Sequence, residues 1–146
     1  MSTEPVSRPG RVAARLSRQV ELALAEVELS LPQYRLLFLL AEGRIAASAL
    51  ADRLAVSRPS VTAVVDGLVS RGLVERQPDP DDRRLVRHEL TPAGRGALDA
   101  ADTAVDERLR AIASHIEGRE GAAFGELGGW RSALDAYRLA KVAAVR

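Results

Sequence analysis

The stretch SRPSVTAVVDGLVSRGLVERQPDPDDRRLVRHELTPAG, residues 57–94, decides the fold. It reads as a helix, a hairpin and the start of a second helix in immediate succession. Ser57 is suited to cap a helix with Pro59 in its first turn, where proline lacks only an N–H that has no intrahelical partner. Val61, Val64, Val65 and Leu68 fall at helical spacing and form the face to be buried. Gly72 follows the last turn, where a left-handed residue ends a helix. Two partly alternating segments, 73–77 and 85–90, then flank Pro78-Asp79-Pro80-Asp81-Asp82, which is turn chemistry. Thr91-Pro92 caps and opens the next helix.

Working outward, residues 1–10, with Pro5, Pro9 and Gly10, read as a tail. Val12, Leu16, Val20, Leu24 and Val27 make one stripe of an amphipathic helix over about 11–29. Ser30-Leu31-Pro32-Gln33 is a capping box, and YRLLFLLAEG after it is apolar nearly all round, as in a central buried helix over 31–41. A third helix is expected over 47–55, weakly capped by Ala46. Downstream, Leu98, Ala101, Val105, Leu109, Ile112 and Ile116 form a heptad-like seam suited to another helix. A glycine-rich break at 118–121 precedes a sixth helix carrying Phe124, Leu127, Leu134 and Tyr137, weakened by Gly125, Gly128 and Gly129. The order is four helices, a hairpin and two helices. The expected class is mainly α with a small β-hairpin wing, and the tight pair of helices before the hairpin makes it a winged helix-turn-helix.

Composition narrows the function. The 146 residues suit one domain, or one domain plus dimerisation helices. The absence of cysteine excludes disulfides, thiolate metal sites and a cysteine redox switch. His88 and His115 are far apart in sequence, and a zinc site built on them would need carboxylates placed by the fold. No metal or cofactor is therefore expected, and the chain offers too few catalytic groups for an enzyme. There is no long apolar run and no apolar signal core near the N-terminus, so a cytoplasmic protein without a membrane span is expected. The net charge of +1 does not advertise a polyanionic partner. Yet 20 of the 21 basic residues are arginine, which forks onto phosphate and guanine, although base-composition bias accounts for much of that usage.

Two surfaces remain. At the start of the fourth helix, Ser57, Arg58, Ser60 and Thr62 offer short hydroxyls and one arginine beside free N–H groups, a set suited to phosphate and base edges in a major groove. The plainer reading is a cap and a solvated charge. At the hairpin tip, Asp82 can fix the direction of Arg84 by a two-pronged pair, or it can pair with Arg76 on the facing strand. Arg83, Arg84 and Arg87 would project from a tip thin enough for a minor groove. The plainer reading is a solvated hairpin whose charges limit edge-to-edge pairing.

The order and spacing together resemble the MarR family of bacterial transcriptional regulators. The residues that carry the resemblance are LPQYRLLFLL and SALADRLAVSRPSVTAVVDGLVSRGLVERQPDPDDRRLVRHELTPAG. Within them, Asp82-x-Arg84, five residues and Leu90-Thr91 match the family's wing pattern. The resemblance spans about residues 11–110 and reaches the C-terminal helices only by pattern. It implies a DNA-binding domain over 31–91, helical dimerisation regions over 11–30 and 92–146, and a homodimer on a pseudo-palindromic operator, acting as a ligand-responsive repressor. It would place Ser57, Arg58, Pro59, Ser60, Thr62 and Ala63 in the major groove and Arg84, oriented by Asp82, in the minor groove. Arg71 would be a phosphate contact or an intramolecular partner. A small aromatic or lipophilic effector is also implied, with Tyr34 and Phe38 as candidate lining, though both suit a core equally. The competing expectation is a winged-helix module that binds protein without specific DNA recognition.

Overall fold

The computed structural model describes residues 8–43, 45, 46, 49, 50, 54 and 57–145. Among them run helices α1 (Pro9–Ala25) and α2 (Leu31–Ala41), strand β1 (Ile45–Ala46), helix α3 (Arg58–Ser70), strands β2 (Val74–Pro78) and β3 (Val86–Leu90), and helices α4 (Pro92–Ala113) and α5 (Glu120–Ala144). The helix expected over 47–55 lies mostly outside the described residues; of its positions, Leu50 and Leu54 are helical and buried. No described helix is long and apolar enough to cross a membrane.

Local rules set most boundaries. The capping box of α2 forms as expected, with Gln33 N–H donating to Ser30 Oγ at 3.2 Å and Ser30 N–H donating to Gln33 Oε1 at 3.0 Å. α1 departs from expectation at both ends. It begins at Pro9, so the last two residues of the expected tail are helical. It ends at Ala25 rather than near residue 29, because Glu28 turns left-handed at φ 58°. Leu29 N–H then reaches the Leu24 carbonyl at 3.1 Å and Glu28 N–H the Ala25 carbonyl at 3.2 Å. That pair of bonds is a Schellman stop with glutamate where glycine is usual.

The sheet holds one strand more than the expected hairpin. β3 is central, with β2 and the two-residue β1 antiparallel on either side. The register sets Val74 opposite Leu90 and Pro78 opposite Val86 across the hairpin, and Ile45 opposite His88 on the other edge. His88, buried at the middle of β3, is a core histidine of the sheet.

The chain forms two compact units, Met1–Val105 and Asp106–Arg146. The first has an aliphatic core in which Leu24, Leu36, Leu37, Leu50, Leu68 and Val74 are fully buried. Each such side chain contributes on the order of 1.5–3 kcal/mol by leaving water. Leu98, Ala101 and Val105, the first half of the α4 seam, belong to this core. In the second unit, Arg110 lies over the Phe124 ring, 4.6 Å from its centre, and Arg119 pairs with Glu126. α5 runs unbroken through Gly125, Gly128 and Gly129. Its row Leu127, Trp130, Leu134 and Tyr137 stands at 45–66% exposure.

Candidate nucleic-acid interface

α3 is built to present its first turn. Ser57 is the N-cap, with its hydroxyl 2.9 Å from Ser60 Oγ and 3.4 Å from the Ser60 amide, and Pro59 sits in the first turn. Val61, Val65 and Leu68 are buried and Val64 is half-buried, so the opposite face is fixed outward. On that face Ser57, Pro59, Ser60, Thr62 and Ala63 are exposed together. Arg58 begins the helix; its side chain lies outside what the structure describes. The helix therefore offers hydroxyls and the positive end of its dipole to solvent.

The C-terminal end of α3 is tied into the wing. Gly72 adopts φ 71°, and Leu73 N–H closes onto the Leu68 carbonyl at 3.0 Å. Thr91 binds this corner twice, its hydroxyl donating to the Gly72 carbonyl at 2.6 Å and its amide to the Leu73 carbonyl at 3.2 Å. Thr91 Oγ1 also accepts the Gly94 amide at 2.9 Å, which caps α4. Gly94 has to be glycine here: a Cβ would stand 1.9 Å from the Leu73 carbonyl oxygen. Asp66 on the exposed face of α3 pairs with Arg76 on β2. That pairing removes Arg76 as a partner for Asp82 and offsets an acidic charge on the face that carries the hydroxyls.

The wing tip holds its arginines in three ways. Asp82 grips Arg84 with both oxygens, at 3.1 Å to Nε and 3.2 Å to Nη2, and also accepts the Arg84 amide at 3.0 Å. The Arg84 side chain is 89% exposed, so it is aimed but not covered. Arg83 is exposed beside it. Arg87, by contrast, is drawn down rather than projecting: its Nε donates to Asp79 Oδ2 at 2.5 Å, and its side chain is only 35% exposed.

Asp79, absent from the expected site, organises the turn. Its Oδ1 accepts the amides of Asp81 at 2.8 Å and Asp82 at 3.2 Å, and its own amide donates to the Leu85 carbonyl at 3.1 Å. The first of these bonds is an Asx turn, and the Asp79-Pro80 pair was the signal for it. The Arg87 hydrogen bond, more than any other contact, holds the Asp79 carboxyl below its ordinary value, and the Asp81 amide adds to it. Asp82 is likewise lowered, first by the Arg84 side chain and then by the Arg84 amide.

The remaining expected residues are also placed. Arg71, the exposed C-cap of α3, donates from Nη1 to the Glu28 carbonyl at 2.7 Å. That bond is an intramolecular one, 43 positions apart in sequence. Tyr34 and Phe38 meet edge to face with ring centres 5.4 Å apart, and the Tyr34 hydroxyl donates to Asp102 at 2.6 Å. Tyr34 is half-buried and Phe38 is 37% exposed, so neither is fully core.

A capped helix with an outward polar first turn, locked to a hairpin that aims an arginine, defines a winged-helix protein of the kind that binds duplex DNA. Comparison with known proteins narrows the class. The MarR family profile matches residues 28–85. The HTH-type transcriptional regulator FarR of Neisseria gonorrhoeae is 34% identical over 114 residues, covering 76% of this chain and 77% of FarR. Two solved structures share the fold. One is the transcriptional repressor CouR bound to a 23-mer DNA duplex, at TM-score 0.67 and 30% identity over 92% of this chain and 88% of CouR. The other is NadR in complex with 4-hydroxyphenylacetate, at TM-score 0.63 and 29% identity over 88% of this chain and 96% of NadR. The chain belongs to the MarR family of transcriptional regulators. Members of that family are DNA-binding proteins and not enzymes.

Proposed function

We propose that this protein is a sequence-specific repressor that acts in the cytoplasm as a homodimer on a pseudo-palindromic operator. The observation that carries the reading is the pairing of an exposed Ser57/Ser60/Thr62 turn on α3 with Arg84 held by Asp82 on the wing. The first set suits base edges and phosphates of a major groove, and the second suits the narrower groove beside it. In this reading Arg58, Pro59 and Ala63 line the same groove face, and Arg83 adds charge at the tip.

The dimer reading rests on the second unit. An α5 that leaves Trp130, Leu134 and Tyr137 about two-thirds exposed in one row requires a cover, and a second copy supplies it by self-complementary packing. α1 contributes to the same assembly, with Val12 and Leu22 exposed on it. Two-fold symmetry would then set the recognition helices roughly 34–36 Å apart, one turn of duplex.

The reading includes a small aromatic or lipophilic effector, by likeness to the NadR complex. The half-open Tyr34–Phe38 pair supports it. An effector that favours one spacing of the heads lowers DNA affinity by its differential affinity for the two states.

Selection of bound fragments from random duplex DNA tests the proposal. A palindromic consensus is expected, with affinity falling in salt at a log–log slope of roughly −0.9 per phosphate contacted. Recovery of unrelated fragments with a flat salt response would leave the protein-binding alternative.

A further inference from the structure

Three observations meet at the base of the recognition helix. Glu28 is the one described non-glycine residue with positive φ, at 58°. Left-handed backbone is unfavourable for a residue with a side chain, so the turn must be held by its surroundings. It is held by the buried Leu29, by the Schellman bonds to α1 and by Arg71. Arg71 in turn is the C-cap of α3. One guanidinium thus joins the C-cap of the recognition helix to the strained stop of α1, 43 positions away in sequence. The acceptor is a main-chain carbonyl, so the bond reports the position of the backbone turn rather than a side-chain rotamer.

We infer that Arg71 is a positioning residue for DNA binding: it fixes the C-terminal end of α3 to the α1–α2 turn, and it does so without touching DNA. The inference rests on the DNA-binding reading above and adds a route for regulation. Any rearrangement of α1 that moves the Glu28 carbonyl pulls on the recognition helix directly. Relaxing the turn loosens α3 at its base while leaving the hydroxyl face of its first turn chemically unchanged. On this inference the Arg71 charge neutralises no phosphate, which the salt dependence below tests.

The test compares wild type with Arg71→Ala in two measurements on the full chain. The first is hydrogen exchange without DNA. Faster exchange at the Glu28, Leu29, Gly72 and Leu73 amides is expected, with the Leu36 and Leu37 amides unchanged; unaltered exchange at all of them overturns the inference. The second is affinity for a selected duplex against salt concentration. A loss on the order of tenfold with an unchanged salt slope is expected, since a hydrogen bond to a charged donor is worth about one such factor. A loss accompanied by a slope shallower by roughly 0.9 marks a phosphate contact and overturns it, as does undiminished affinity. If the alanine variant does not fold, Arg71→Met, which keeps the aliphatic stem, takes its place with the same outcomes. Should the wild type bind no DNA at all, the functional proposal fails on its own, and the exchange result still decides whether Arg71 holds the turn.

Discussion

Asp79 and Arg87 close the wing from inside: a carboxylate only 5% exposed lies 2.5 Å from the guanidinium Nε eight residues along the chain. The same carboxylate takes the Asp81 and Asp82 amides. The Asp82 main chain and side chain therefore start from a turn that Asp79 has set, and Arg84 is aimed from there.

This arrangement makes wing order depend on acid. Asp79 and Asp82 both have folded-state pKa values below the ordinary 3.8. A group lowered on folding stabilises the fold fully above its unfolded value and loses that contribution as pH falls through its folded value. The wing amides of Asp79 and residues 81–87 should hold their chemical shifts down to about pH 4 and change below it. Asp79→Asn keeps an acceptor for the turn amides but lacks the charge for Arg87, so it should show the disordered-wing shifts already at neutral pH. A wing that ignores both acid and this substitution contradicts the role given to Asp79.

Arg84→Ala should weaken operator binding by about 1–3 kcal/mol, the size of a good specific contact. Asp82→Ala leaves the guanidinium present but unaimed, so its loss should be smaller and of the same sign. Titration by gel shift or fluorescence anisotropy measures both. Equal affinity for wild type and Arg84→Ala would remove the wing from the interface.

Gly94→Ala should destabilise the first unit. The added methyl meets the Leu73 carbonyl at 1.9 Å, and a backbone oxygen in a sheet corner has little room to yield. Overpacking of this kind costs typically about 1–3 kcal/mol. Thermal unfolding should drop by several degrees, while Gly96→Ala, in the same helix with nothing within 4 Å of its Cβ, should melt no lower than wild type. Equal melting of the two variants contradicts the close approach.

How much of this could be read from the sequence follows from the range of each interaction. Caps are local, so Ser30 with Gln33, Ser57, Gly72 and Thr91 were all legible from spacing. The Asp82–Arg84 grip spans two residues and was legible as well. β1 was not, because a two-residue strand carries no period and exists only by pairing with β3. The α1 stop was misplaced because Glu28 gives no glycine signal, its left-handed backbone being imposed from outside. Arg76 and Arg87 found partners on Asp66 and Asp79, choices made by the folded hairpin rather than by neighbouring residues. The glycines of α5 count against a helix by propensity, but propensity is a weak prior, and α5 forms through them.

The exposed α5 row makes its own demand. Leu134→Asp places a charge in the middle of Trp130, Leu134 and Tyr137 and should abolish the proposed dimer at micromolar concentration. α1 to α4 should remain folded, as circular dichroism and unfolding of the Leu24–Leu68 core would report. A variant that still sediments as wild type moves the dimer interface elsewhere.

Sedimentation velocity of the wild-type chain, alone and with a duplex from its own promoter, reaches the central claim most directly. The account predicts twice the 15.7 kDa chain mass in free solution and two chains per duplex in the complex. A monomer at micromolar concentration that leaves the duplex boundary unshifted would contradict it.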